Sequence, residues 1–247
     1  MSLARRHREK MLAERGAVQV AAGEPRSGPA ATEYELMRAR LGVDLRRLKE
    51  IQSIEKKIEL KRELLPEYFE WIAGVIAADS GAHDDILVQA MIWLIDVGDF
   101  ANALILADYV VRHHLELPER FDRTAGTLIA EEITEAALKA FGQSADFDID
   151  VLDKVDGLTH AEDMPDQVRA KLFKARAIHA DRAATALDPA ADGPAGQRQA
   201  GLASALELYR RAYALDTGVG VKKDMERMER ELKKLVPPVN QQEEKKL

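Results

Sequence analysis

The chain has no cysteine among its 247 residues, and only 5% of them are aromatic. Without thiols it cannot form a disulfide framework, a thiolate zinc site or a cysteine nucleophile. Segments in which β-branched and aromatic residues alternate with polar ones are missing, so little or no sheet is expected. No apolar run reaches the length of a membrane span, and the basic N-terminus lacks the apolar core of a secretory signal. We therefore expect an all-α protein with no membrane partner.

The short motifs that usually carry enzyme chemistry are missing as well. There is no Gly-x4-Gly-Lys-Ser/Thr loop for nucleotide phosphates, no Gly-x-Ser-x-Gly elbow, no His-Glu-x-x-His zinc motif and no EF-hand. We therefore predict no catalytic residue, no metal ligand and no cofactor from motifs.

Charge is abundant, and it is sorted along the chain. Residues 1–62 contain 15 Lys and Arg against 9 Asp and Glu, residues 63–168 contain 5 against 23, and residues 169–247 contain 16 against 11. Such sorting favours different partners for different parts of the chain, with solvated helical faces as the plainer explanation.

Residues 1–31 are predicted to form a basic arm followed by a flexible linker. The linker is expected from the Gly-rich and Pro-rich residues 16–31, which bury little surface. Cations this dense suit contact with DNA phosphates, while a solubilising tail remains the alternative. The predicted DNA-binding cations of the arm are Arg5, Arg6, Arg8, Lys10 and Arg15.

Residues 32–64 are predicted to form one long, coiled-coil-like oligomerisation helix. Its apolar stripe has a mean spacing of 3.5, which is the coiled-coil period. The polar face adds Arg46, Arg47 and Lys49 as further DNA-binding candidates. The stripe must be covered either by downstream helices of the same chain or by a second copy, and we favour the second copy. The predicted oligomerisation residues are Met37, Leu41, Leu45, Leu48, Ile51, Ile54 and Ile58.

The rest of the chain is predicted to be a multi-helix body. We expect an acidic helical core over 65–164, TPR-like C-terminal helices over 165–236 and a disordered tail over 237–247. The TPR-like assignment rests on the Ala-rich segments 98–107 and 205–216, and any Ala-rich helical hairpin explains them equally well.

A metal-dependent nuclease is the enzymatic alternative. It needs two or more carboxylates converging on a divalent cation. Asp84, Asp85 and Asp166 are candidates, but all three lie where helices are expected to begin, and capping explains acids at such positions.

Four segments together resemble a known family, the small terminase subunits of contractile-tailed phages of the peduovirus type, also called terminase endonuclease subunits. The resemblance covers roughly residues 1–235. The segments are RELLPEYFEWIAGVI (62–76), GAHDDILVQAMIWLIDVGDFANALILADYVV (81–111), EDMPDQVRAKLFK (162–174) and GVKKDMERMERELK (220–233).

The resemblance implies a homo-oligomeric ring in the host cytoplasm that recognises viral double-stranded DNA and regulates the large terminase subunit. That large subunit would carry the ATPase and the nuclease. Two alternatives stay open: a metal-dependent endonuclease subunit of the terminase, and a TPR-like protein-interaction scaffold with no DNA role.

Overall fold

A computed structural model describes residues 3–187 and 196–235, and within these ranges every regular element is helical. The predicted all-α class is therefore confirmed, while the tail expected over 237–247 lies outside the described residues. A single 3-10 turn, Leu65–Glu67, precedes α4. The helices are α1 (Leu3–Ala21), α2 (Gly28–Glu50), α3 (Ile54–Leu64), α4 (Phe69–Ala78), α5 (Asp85–Val97), α6 (Phe100–Arg112), α7 (Ala125–Gly142), α8 (Ile149–Thr159), α9 (Asp166–Ala186), α10 (Gln197–Leu215) and α11 (Lys222–Leu235).

The chain divides into two compact units. The first runs to Ile133 and includes Lys154–Asp163, and the second contains Thr134–Asp153 and the residues from Met164 onward.

Helix α5 is the centre of the first unit. It is buried continuously from Ile86 to Ile95, because its apolar side chains surround the whole helix. Asp84 caps its N-terminus, and Gly98 ends it with a φ of 80°, a left-handed conformation that glycine adopts without strain. Helix α6 then packs back against α5, so the two helices form a hairpin that turns at Gly98 and Asp99.

The N-terminal segment differs from the expected flexible arm. Helix α1 continues to Ala21 and packs along α4, so the linker expected over 16–31 is reduced to residues 22–27. The physical reason is close approach: Ala13 and Ala17 are fully buried because small side chains let the two helix backbones come together. Ala17 belongs to the segment 16–31, which was wrongly predicted to bury little surface.

The predicted single helix over 32–64 is also corrected, because it is two helices. The backbone is extended at Ile51, with φ −83° and ψ 129°, and Ser53 starts α3 by accepting a hydrogen bond from the Lys56 amide at 3.3 Å. A continuous coiled-coil helix is therefore not formed.

The apolar stripe of the two helices is largely covered by the chain itself. Met37, Leu41 and Leu48 are buried among its own helices, so for these three residues the alternative of intramolecular packing holds. Ile54, by contrast, remains 74% exposed.

In the second unit, α10 packs along α9, and α11 packs against α10. The apolar side of α11 faces this core: Met228 and Val221, which directly precedes the helix, are fully buried, and Met225 and Leu232 pack partly against it. An ion pair between Arg227 and Asp181 ties α11 to α9.

Across residues 3–187 and 196–235, no helix combines the length and the apolar character that crossing a lipid bilayer requires.

Candidate nucleic-acid interface

The outer face of α1 presents two arginines to solvent. The opposite face, which contains Ala13 and Ala17, is buried. Arg8 and Arg15 are exposed, and neither side chain has an ion-pair partner among the described residues. Seven residues correspond to two helical turns, so the two arginines lie on one face about 10.5 Å apart along the axis. This is a rigid pair of cations that can contact phosphates.

The other cations predicted in the arm are not equivalent to these two. Arg5 donates to the Glu9 carboxylate at 2.8 Å, and Glu9 is buried. Lys10 is half-buried, and its carbonyl oxygen faces α4. Arg6 is exposed and has no ion-pair partner among the residues that the structure describes. Arg6, Arg8 and Arg15 are therefore the α1 cations that remain available to an anion.

The cations of α2 form a second group near the end of that helix. Arg47 lies 3.3 Å from Asp44, a buried carboxylate that also accepts a hydrogen bond of 2.6 Å from the Tyr68 hydroxyl. Burial, followed by this hydrogen bond, raises the pKa of Tyr68. Arg46 and Lys49 are exposed and lack an ion-pair partner among the described side chains.

The two groups lie on different helices. Helix α1 comes close to α2 where a β-carbon on Gly16 would lie 3.5 Å from that of Ala30. Arg46 follows Ala30 by 16 residues, about 24 Å along α2. The eight predicted DNA-binding cations thus belong to two patches, one on α1 and one at the end of α2.

Asp84, the first nuclease candidate, is fully engaged in structure. Its Oδ1 accepts from the amides of Ile86 and Leu87, both at 3.1 Å, and its Oδ2 accepts from Arg26 Nη2 at 3.0 Å and from Trp71 Nε1 at 3.1 Å. Burial raises the pKa of this carboxyl, and the four donors oppose that shift. Asp84 caps α5, as its position before an apolar helix predicts. It also links α5 to Arg26 and to Trp71 of α4.

Asp85 is part of the same cluster. Its Oδ2 accepts from the Tyr34 hydroxyl at 3.3 Å and from Arg38 Nε at 3.1 Å. The Tyr34 ring stacks on Trp71 at 5.7 Å, and the guanidinium of Arg26 lies 3.7 Å from its centroid. Burial, followed by the nearby Asp84 and Asp85, raises the pKa of Tyr34 to about 12.

The remaining acids do not converge. Asp166 is exposed in the first turn of α9, and Asp99 caps α6 by accepting from the Asn102 amide at 3.3 Å. In the parts of the chain that the structure describes, no three His, Asp or Glu side chains are grouped as a metal site.

A third group of cations shares Lys49 with the second and adds Lys57, Lys61 and Arg120, which were not predicted as site residues from the sequence. It surrounds a cavity of about 470 Å³ between α2, α3 and α5, which we call the basic pocket. Its residues come from helices far apart in sequence, so no local pattern could have revealed it. The basic pocket is lined by Leu45, Leu48, Lys49, Lys57, Lys61, Gln89, Ile92, Trp93, Asp96, Arg120 and Phe121.

Comparisons with known proteins agree with the resemblance. A "Terminase, endonuclease subunit" of Escherichia phage P2 is 40% identical over 203 residues, which cover 82% of this chain and 76% of that protein. A "Probable terminase, endonuclease subunit" of Haemophilus phage HP1 (strain HP1c1) is 22% identical over 102 residues, which cover 41% of this chain and 36% of that protein. No solved structure matches. The family model described as phage small terminase subunit matches residues 38–167, more than half of the chain, and the chain therefore belongs to the phage small terminase subunit family.

Proposed function

We propose that this chain is a ring-forming, DNA-binding subunit that recognises viral double-stranded DNA for genome packaging and regulates the ATPase and nuclease of the large terminase subunit. Membership of the small terminase subunit family supports both partners. The observation that carries the proposal is the exposed Arg8 and Arg15 pair, which has no acidic partner within residues 3–187 and 196–235 although the chain has a net charge of −7. Unpaired cations on a rigid helix suit a polyanion.

DNA contact is assigned first to the α1 patch. Arg6, Arg8 and Arg15 would each meet a phosphate, which supplies affinity but carries no sequence information. Arg46 and Lys49 form a second patch, while Arg5 and Arg47 are already held by acidic partners within the chain. A single copy offers few contacts, so several copies bound to one duplex would add their contacts through avidity.

Assembly is assigned to those predicted oligomerisation residues that the chain leaves accessible. Met37, Leu41 and Leu48 are excluded because they are buried within one copy. Ile54 is the most exposed of the set, and an apolar side chain with this exposure on an ordered helix favours a partner surface. Leu45, Ile51 and Ile58 are half-buried, so part of each side chain also remains accessible.

Docking of the large subunit is assigned to the second unit. Helices α9 and α10 pack along each other, and the Ala-rich segment of α10 was predicted to be TPR-like, a type of helix pair that serves protein interactions in many proteins. Helix α11 adds a cationic outer face, on which Lys222, Lys223, Lys233 and Lys234 are exposed.

Two measurements on the full chain test this proposal. Mass photometry should show closed oligomers at micromolar concentration, and fluorescence anisotropy should show binding to duplex DNA that weakens steeply with salt. A protein that stays monomeric, or one whose affinity for DNA does not change with salt, would contradict the proposal.

The names of both relatives raise a second candidate, a metal-dependent endonuclease. In this chain the side chain of Asp84 already accepts four hydrogen bonds, and Asp85 is bound by Tyr34 and Arg38. The chain alone should therefore leave phage DNA uncut in Mg²⁺ or Mn²⁺. Cleavage that is lost in the folded Asp166→Ala variant would support this candidate over the first.

A further inference from the structure

The basic pocket combines an apolar floor with a cationic rim. Leu48 and Trp93 are buried in its floor, and Phe121 is half-buried beside them. Arg120 lies over the Phe121 ring, 4.7 Å from its centroid, and donates a hydrogen bond to Gln89. Such a cavity suits an occupant that presents an apolar side chain between negative charges.

The charges of the rim are not balanced within the pocket. Asp96 is its only acidic lining residue, and it is paired with Lys61. Lys49 and Lys57 also line the pocket, and their side chains have no ion-pair partner among the described residues. Burial lowers the pKa of Arg120, and the attraction of Asp96 offsets only part of this shift. The pocket therefore favours an acidic occupant.

An exposed apolar side chain extends the pocket along α3. Ile54, Lys57 and Lys61 are spaced by three and four residues, so they share one face of the helix. Lys57 and Lys61 line the cavity, which places Ile54 at its edge, 74% exposed. The surface thus offers an apolar contact next to its unpaired cations.

The chain itself contains a segment of the matching chemistry in its second unit. Residues 146–150 read Asp-Phe-Asp-Ile-Asp, so acids alternate with two apolar side chains. Asp146, Asp148 and Asp150 are exposed, and none has an ion-pair partner among the described residues. By contrast, the acidic run at 131–135 is already neutralised by ion pairs with Arg123 and Lys171.

The acidic segment is also held in a defined conformation. Arg182 donates from Nη2 to the Phe141 carbonyl at 2.7 Å and from Nη1 to the Ala145 carbonyl at 3.0 Å. Phe147 packs edge-on against Phe141, with ring centroids 6.4 Å apart. Little conformational entropy would be lost when the segment binds, because it is already ordered.

We propose that the segment Asp146–Asp150 of one copy docks into the basic pocket of the next copy. This inference rests on the proposed assembly and specifies its interface. The contact joins two different surfaces, so it is head-to-tail, the type of interface that generates a ring when the rotation closes. Phe147 and Ile149 would face the apolar floor and Ile54, and the three aspartates would face Lys49, Lys57 and Arg120.

A matched pair of reversals on α3 tests the pocket. Lys57→Glu changes a lining residue, while Lys56→Glu changes its exposed neighbour, which does not line the pocket. Both lie in the first turn of α3, where an acidic side chain is favourable to the helix, so folding should survive. In mass photometry of the full chain, K57E should raise the concentration of half-assembly about tenfold, while K56E leaves it unchanged.

A second matched pair tests the segment, and a mixture tests their pairing. Asp146→Lys should weaken assembly as K57E does, and Asp163→Lys, in an acidic stretch outside the segment, should not. Mixing K57E with D146K should restore association between the two variants, because the charges are complementary at every contact between unlike copies.

The outcomes separate this inference from the proposed function. A wild-type chain that does not assemble overturns both. If the wild-type, K57E and D146K chains assemble equally, only this interface is overturned. The same holds if the mixture of K57E and D146K does not recover association. Weaker DNA binding by K57E with unchanged assembly would also overturn it, because the pocket would then serve phosphates.

Discussion

A β-carbon placed on Gly74 would lie 2.2 Å from the carbonyl oxygen of Lys10, so α1 and α4 meet backbone to backbone at this point. The β-carbon of Ala13, one turn further along α1, would lie 2.7 Å from the β-carbon added to Gly74, and Ala13 is fully buried. This contact fixes the orientation of Arg8 and Arg15. The basic N-terminal residues therefore lie on the surface of an ordered helix, and they do not form a flexible arm.

The substitution Gly74→Ala tests that contact. The added methyl group has no room against the Lys10 carbonyl, so α1 must shift, and the free energy of unfolding should fall by about 1–3 kcal/mol. Gly157→Ala is the matched control, because a β-carbon there, in the last turn of α8, meets nothing within 4 Å. It should stabilise the protein by about 0.5–1 kcal/mol. Urea unfolding measures both, and equal effects would contradict the contact.

Removing the Asp84 carboxylate should lower the stability of the protein far more than removing the cap of another helix. Asp84→Ala leaves the Trp71 indole without its acceptor and the Arg26 guanidinium without its carboxylate in a buried site, a loss of about 3–5 kcal/mol. Asp99→Ala removes a more accessible cap, worth about 1 kcal/mol. Thermal unfolding of the two variants compares them directly. A similar shift in both melting temperatures would contradict the role of Asp84 in holding Arg26 and Trp71 against α5.

Alkaline pH should weaken the protein through Tyr34. Its folded-state pKa of about 12 lies above the ordinary value of 10, so the folded state keeps a proton that the unfolded state loses. The stabilisation from Tyr34 is therefore fully present below pH 10 and is lost as the pH rises towards 12.

The variant Tyr34→Phe isolates this effect. At neutral pH it should unfold more easily by about 1 kcal/mol, because the hydrogen bond to Asp85 is lost. The difference from the wild type should shrink as the pH rises through 10, since the phenylalanine does not titrate. Denaturant unfolding at pH 8 and pH 11 measures the difference, and a constant gap would contradict the assignment.

Much of the fold followed from local patterns. Gly98 and Asp99 predict a turn because glycine permits the left-handed backbone and aspartate caps the next helix, and both roles are observed. The apolar stripe of α11 likewise predicted its buried face. Such features depend on residues close in sequence.

The predictions that were wrong or missing depended on contacts between residues far apart in the sequence. The stripe over 32–64 keeps its period across the break at Ile51, so periodicity could not show that the chain turns there. Nothing near Ala13 indicates that Gly74 will leave room for it. The cations were identifiable from sequence, but their availability depends on partners such as Glu9 and Asp44, and the basic pocket requires three helices to meet.

The most direct test of DNA binding through α1 is the salt dependence of affinity for duplex DNA, measured by fluorescence anisotropy. The double variant Arg8→Ala/Arg15→Ala is compared with Arg112→Ala, which removes an exposed arginine already paired with Asp79 and Asp108. Each lost phosphate contact should lower the slope of log affinity against log salt by about 0.9, so the double variant should bind more weakly and with a flatter slope. R112A should match the wild type. A double variant with the affinity and slope of R112A would contradict the account.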